Sequence, residues 1–317
     1  MKYCLYFFLC AGPFAGSVAA QSTTALLTPD LNGRTVQSAI YTATDGDRTE
    51  LNQSINGRTV PLQKSDTRTL SENASGKTTE TIIRKYDATG QLVSTERIVI
   101  ETQKRPNGAL VNATTYRSDV NGQMREAERR TIESQAQGPT STTNITVSRP
   151  GLSGSFDVAE KRNILTTADG KTVRETESVQ RPSGSGQFAE VAREVREQGT
   201  ADGKSTAVTA SYEPDFTGKM SLIRQQVATT TKAADGSMVT ELDLYAPAPY
   251  GVARENNPTP KLREQNVIVR REKNGVVTET TTVSRPTLQD LNRLVVAGPP
   301  SELVCSGNCP ITLQPQQ

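Results

Sequence analysis

Along most of the chain, apolar or β-branched residues alternate with polar ones, as in Thr79-Glu80-Thr81-Ile82-Ile83-Arg84, Thr142-Thr143-Asn144-Ile145-Thr146-Val147 and Thr278-Glu279-Thr280-Thr281-Thr282-Val283. A period of two sends successive side chains to opposite faces of an extended strand, and Thr, Val and Ile favour that backbone. Before residue 287 no stretch has helical periodicity. The pattern predicts an all-β chain.

A longer period is laid over the short one. Leu92, Met124, Phe156, Phe188 and Met220 stand 32 residues apart, each two residues after a glycine at 90, 122, 154, 186 or 218. Fourteen to sixteen residues beyond each marker comes a second glycine, at 108, 138, 170, 203 or 236. Asn107-Gly108, Asp169-Gly170, Asp202-Gly203 and Asp235-Gly236 carry the residues that a two-residue hairpin turn favours, so each unit reads as two strands and two turns. The register extends outward to Val60 after Asn56-Gly57 and to Val252 after Gly251, and Thr-Val-Ser-Arg-Pro at 146–150 returns at 282–286. Residues 61–288 thus hold about seven 32-residue β-hairpin repeats, ~14 strands in one elongated antiparallel meander.

The flanks depart from the period, as terminal repeats do when they must cover surface that a missing neighbour would bury. Asn-Gly-Arg-Thr-Val at 32–36 and 56–60 is spaced by 24, which predicts an atypical hairpin cap over 21–60 with Asp45-Gly46 near its tip. A cap and tail fill 289–317: Thr287-Leu288-Gln289-Asp290 has the form of a capping box, and Leu288, Leu291, Leu294 and Val295 would share one face of a short helix. From Pro299 onward a loose tail is expected around Cys305 and Cys309.

Lys2, the apolar run Tyr3 to Phe14 and the small residues ending in Val18-Ala19-Ala20 have the order of a secretory signal peptide over residues 1–20, cleaved before Gln21. The apolar run is shorter than a bilayer span and breaks at Pro13, so no integral span is expected after cleavage. Export places the mature chain in the periplasm or outside the cell. There Cys305 and Cys309, with three residues between them around Gly307, are expected to close a small disulfide loop, with a redox or metal pair as the alternative.

Composition then removes chemistry. The 36 Lys and Arg nearly balance the 34 Asp and Glu, so no basic field points to nucleic acid. His is absent, which excludes imidazole metal sites and His-based triads. Gly-Lys-Thr or Gly-Lys-Ser at 76, 170 and 203 lacks the earlier glycine of a phosphate loop, Ser71, Leu165 and Gln198 standing there instead. Asp45-Gly46-Asp47 lacks the ligand spacing of a calcium loop. No catalytic, cofactor-binding or metal residue is predicted, and the chain reads as no enzyme. The repeated Glu96-Arg97, Glu128-Arg129 and Glu160-Lys161 form rows along the sheet, read as solvated charges pairing across strands or as a regular polar surface for a linear polymer.

Lys85-Tyr86-Asp87-Ala88-Thr89-Gly90-Gln91-Leu92 resembles the Y-D-x-x-G-x-L turn of YD repeats, the β-hairpin units of RHS-type secreted proteins. The resemblance covers eight residues of 317 and implies an extracytoplasmic hairpin array, without a toxin domain. The expected function is a secreted structural, adhesive or protein-binding repeat protein whose partner is a protein or a cell-envelope component. An outer-membrane β-barrel is one alternative. A carbohydrate-active or carbohydrate-binding protein is the other, although only nine rings serve the 297 residues after the signal.

Overall fold

The structure is a computed structural model that describes residues 20–29, 35–55, 58–119, 121–247, 260–287 and 293–306. Residues 1–19, which include most of the expected signal peptide, and Cys309 lie outside the described residues. Nineteen strands follow one another without a helix among the described residues. They are β1 (Ala20–Pro29), β2 (Thr35–Asp45), β3 (Arg48–Ile55), β4 (Arg58–Asn73), β5 (Gly76–Tyr86), β6 (Leu92–Arg105), β7 (Gly108–Ser118), β8 (Met124–Gln137), β9 (Thr140–Pro150) and β10 (Phe156–Asp169). Then come β11 (Thr172–Pro182), β12 (Phe188–Ala201), β13 (Lys204–Pro214), β14 (Met220–Lys232), β15 (Met238–Ala246), β16 (Lys261–Lys273), β17 (Val276–Pro286), β18 (Leu294–Val296) and β19 (Ser301–Ser306). From β1 to β17 each strand pairs antiparallel with the next, so the array is the expected meander.

The period now has a physical content. A strand of 14 residues, a two-residue turn, a strand of 11 residues and a five-residue turn make up one unit, as in β6 through Gln123, and the same lengths recur up to β13. The longer strand overhangs its partner at the two-residue turns, where its amide reaches the tip of the preceding hairpin. Lys104 N–H donates to Ser75 O, Ala136 to Asn107 O and Ala168 to Pro139 O, at 2.7–2.9 Å. At the other end each longer strand carries a bulge, with one extra residue such as Ala127 between Glu126 and Glu128 facing β7, or Ala159 between Val158 and Glu160 facing β9. A bulge sharpens the local twist, and its repetition once per unit bends the whole sheet the same way.

The five-residue turns hold because glycine supplies a left-handed backbone at one fixed place. Gly90, Gly122, Gly154, Gly186 and Gly218 have φ between 77° and 87°, with N–H bonds to residues three back. Asp87, Asp119 and Asp215 start three of these turns and accept the N–H groups two and four residues on. The two-residue turns differ from the expected hairpin centres. Asp202-Gly203 and Asn274-Gly275 do have φ above zero at both central residues, but Gly170 is followed by Lys171 in its turn, and Asp235-Gly236 sits inside a five-residue turn over 233–237. Gly108 opens β7, after a Pro106-Asn107 turn, and a Cβ there would stand 1.8 Å from Ser134 O. Glycine at 108 thus admits a neighbouring strand and does not turn the chain.

The C-terminus corrects two expectations. Leu294 and Val295, expected on a helix, form β18 opposite Pro286 and Arg285, while residues 288–292 lie outside the described residues. Ser301 to Ser306, expected as loose tail, form β19 along β17. The exposed edge of β17 explains both, since its unpaired N–H and C=O groups are satisfied by whatever extended segment follows. The last two residues of β19, Cys305 and Ser306, also stand opposite Thr24 and Thr23 of β1. The sheet therefore curls until its ends touch over two residues, while the junctions from β1 to β17 run eight or more, and it is not sealed into a barrel.

The wall is one strand layer thick. Only Val147, Ala210 and Val277 are buried apolar side chains among the described residues. Cross-strand neighbours such as Ile132 with Ile145, or Val208 with Val227, add ~0.2–1 kcal/mol each beside the ladder. Such an array is stable as a sum of units and their junctions. Deleting Arg125–Phe156 removes one period and joins Met124 to Asp157, so circular dichroism should show an intact sheet with a modestly lower melting temperature. Deleting Arg125–Thr140 sends β9 the wrong way along β7 and should abolish the cooperative transition. Equal tolerance of both deletions would contradict the periodic architecture.

Candidate functional site

The charged dipeptides that mark the repeat, four and five residues after each apolar marker, sit beside the bulge where successive strands lie level. Adjacent residues of a strand face opposite ways, so the acid and the base of each dipeptide serve different surfaces. Glu96, Glu128 and Glu160 form a row on one face. Glu96 is held by Arg117 Nε at 3.2 Å and Lys85 Nζ at 3.6 Å, and Glu128 by Arg130 Nη2 at 2.9 Å and Arg149 Nη2 at 3.1 Å. Glu160 takes Arg162 Nε at 2.6 Å and Arg181 Nη2 at 2.9 Å. The carboxylates and Arg117, Arg149 and Arg181 alternate strand by strand, and Arg162 links the row to Glu177 at 3.2 Å. Much later in the chain, Glu264 and Arg285 repeat the pair at 2.8 Å.

On the opposite face the cations meet rings. Arg97 lies 5.0 Å from the centroid of Tyr116, Arg129 4.2 Å from Phe156, and Lys161 Nζ 4.3 Å from Phe188. Arg193, one period further, pairs with Tyr212 across β12 and β13. Each contact is worth ~0.5–1 kcal/mol at an exposed site. Pairing places Tyr86, Tyr116, Phe156, Phe188, Tyr212 and Tyr245 on this one face, all near five-residue turns or the end of β15. The rows expected along the sheet are therefore present, the carboxylates pairing across strands. The cation–ring row was not foreseen. Its signal lay in the 32-residue spacing of 97, 129, 161 and 193 and in the alternation that separates each of them from the residue before it.

The electrostatics bind these groups to structure. Glu80, whose side chain is 3% exposed, takes Arg97 Nε at 2.6 Å and Arg68 Nε at 2.5 Å, and these hydrogen bonds hold its carboxyl below the ordinary value. Burial pushes Glu160 upward, but the bonds from Arg162 and Arg181 outweigh it and the net direction is down. Burial likewise opposes a net lowering at Glu264, where Asn266 and Arg285 donate. Asp87, Asp119 and Asp215 are lowered by hydrogen bonds within their turns. Glu279 alone among the shifted carboxyls is raised, by burial.

A shallow depression of about 600 Å³ beside the row is lined by Ile82, Arg84, Leu92, Thr95, Arg97 and Met124 among others, but Arg84 and Arg97 are already paired with Asp66 and Glu80. Among the described residues no group of three or more Cys, Asp or Glu could hold a metal ion. Gly76, Gly170 and Gly203 lie at hairpin tips, where no helix follows. Cys305 lies in β19 and Cys309 outside the described residues, so their bond stays an expectation. Comparison with protein-family models, with curated proteins and with solved structures returns no match.

A carboxyl whose folded value is lowered lends stability above its unfolded value and loses it as pH falls through the folded one. Melting temperature should therefore fall as pH drops below about 4.5, the ordinary value for Glu80, Glu160 and Glu264, with Glu279 working in the opposite direction. Glu160→Gln should cost about 1–2 kcal/mol at neutral pH and flatten that acid limb. A melting temperature constant from pH 7 to pH 3 would show that these pairs do not stabilise the array.

Proposed function

We propose that the protein is an exported, non-catalytic repeat protein whose sheet serves as a structural, adhesive or protein-binding surface. The observation that carries this reading is the fate of the charged groups: Glu80, Glu96, Glu128 and Glu160 are each held by two cations, leaving their carboxylates committed to neighbouring strands. A catalytic carboxylate has to face substrate. The signal-like residues 1–20 and the likeness of residues 85–92 to a YD turn favour an extracytoplasmic setting. A partner protein or cell-envelope component is the occupant this surface suits, since successive repeats present the same groups every two strands, ~9.6 Å apart.

The meeting of β19 with β1 favours a second reading, an outer-membrane barrel. Against it stand charges on both faces of single strands, such as Glu128 and Arg130 on one side of β8 with Arg129 and Glu133 on the other. Lipid exposure of either set at the midplane costs ~2–4 kcal/mol per Arg.

Fractionation with mass spectrometry separates the readings. The mature chain should begin at Gln21 and leave the membrane fraction on alkaline carbonate washing. An intact Met1 terminus, or a pellet that carbonate does not release, would overturn export as a water-soluble array. Thiol titration of the denatured mature protein should find no free thiol, Cys305 and Cys309 being joined. Two free thiols would contradict the disulfide.

A further inference from the structure

Because strand direction alternates, the five-residue turns from 87–91 to 215–219 all emerge at one rim of the sheet. The second residue of these turns is Ala88, Leu152, Gly184 or Phe216, with Val120 at the same place in the period but outside the described residues. Leu152 and Phe216 are 112% and 100% exposed, free of any packing. Below the tips, Val93 and Leu92 are 66% and 55% exposed. The turns of the opposite rim, such as Ala74-Ser75, Pro106-Asn107, Gly170-Lys171 and Asn274-Gly275, carry no large apolar side chain, and Val173, Met238 and Val276 beside such turns are 44%, 39% and 38% exposed, less than Val93 and Leu92.

We propose that this rim docks on the surface of a phospholipid bilayer, with Leu152 and Phe216 entering the boundary between headgroups and acyl chains. The tip backbones are closed by hydrogen bonds, since Asp215 accepts the amides of Thr217 and Lys219, and Gly151 N–H donates to Ser155 O at 2.7 Å. The turn backbone that carries Phe216 is thus already fixed before docking. The cation–ring row lies within about three residues of the same turns, ~10 Å at ~3.3 Å per residue. That depth matches shallow interfacial insertion, which reaches ~5–10 Å and seats aromatic rings and basic groups at headgroup level. Lys161 supplies a cation there that makes no ion pair among the described residues.

Geometry favours a bilayer over a protein. Leu152 and Phe216 project from separate turns four strands apart, ~19 Å along the rim. A protein partner would need two matched pockets at that separation, because binding energy concentrates where side chains fill a packed site. A fluid bilayer accepts isolated projections without shape matching. This inference rests on the reading of the protein as an exported binding surface and names the partner.

The test is sedimentation of the purified mature chain with vesicles of phosphatidylethanolamine and phosphatidylglycerol. Binding should persist in high salt and should fall about tenfold in the L152S/F216S variant, as loss of two apolar insertions implies. The variant should keep the wild-type circular dichroism and melting temperature, because neither side chain is packed. Lys171→Ser at the opposite rim should bind as wild type. No binding, equal binding by L152S/F216S, or binding abolished by salt would each overturn the proposal. Such a result, obtained with a protein that begins at Gln21 and is released by carbonate, would leave the exported-array reading intact.

Discussion

The backbone ladder between successive strands is what the rest of this molecule depends on. A conventional domain buries a thick apolar layer, whereas here only Val147, Ala210 and Val277 among the described residues do so. Cohesion passes instead from strand to neighbouring strand, through amide–carbonyl bonds and the side-chain pairs that ride on them. The overhang of the longer strands extends the ladder to the hairpin tips, where Ser75, Asn107 and Pro139 accept from a strand beyond their own hairpin. A sheet held this way tolerates a chain with no Trp and few rings, since each junction contributes its own small share.

The side-chain rows follow from that ladder. Once equivalent residues lie two strands apart, a Glu at 96, 128 and 160 becomes a row on one face, and the residue after it becomes a row on the other. Opposite charges on alternate strands then satisfy one another and discourage edge-to-edge association. Cations over rings cover part of the scarce aromatic surface. Bulges at the same level in each longer strand bend the sheet, and the ends come together at Thr23 and Thr24 of β1. One local irregularity, repeated, sets the large-scale curvature.

Much of this was legible in the sequence because the period is carried by residues with strong local preferences. Gly90, Gly122, Gly154, Gly186 and Gly218 mark left-handed turn positions, and Thr-rich alternation marks the strands. Gly108 misled the reading, since glycine also serves where two backbones approach closely, and sequence does not distinguish the uses. Leu294 and Val295 have helical spacing with Leu288 and Leu291, yet the open edge of β17 draws them into a strand. The cation–ring contacts were hidden because Arg129 reaches across β9 to Phe156 on β10, a pairing that depends on register and not on spacing along one strand.

Amide hydrogen exchange read strand by strand tests the central claim most directly. If the ladder carries the fold, β6 through β14 should be protected to similar extents, including Lys104, Ala136 and Ala168, whose amides bond to hairpin tips in the neighbouring unit. Protection confined to one block of strands around Val147, with the remaining repeats exchanging as freely as unfolded chain, would show that a local core holds the protein, contrary to this account.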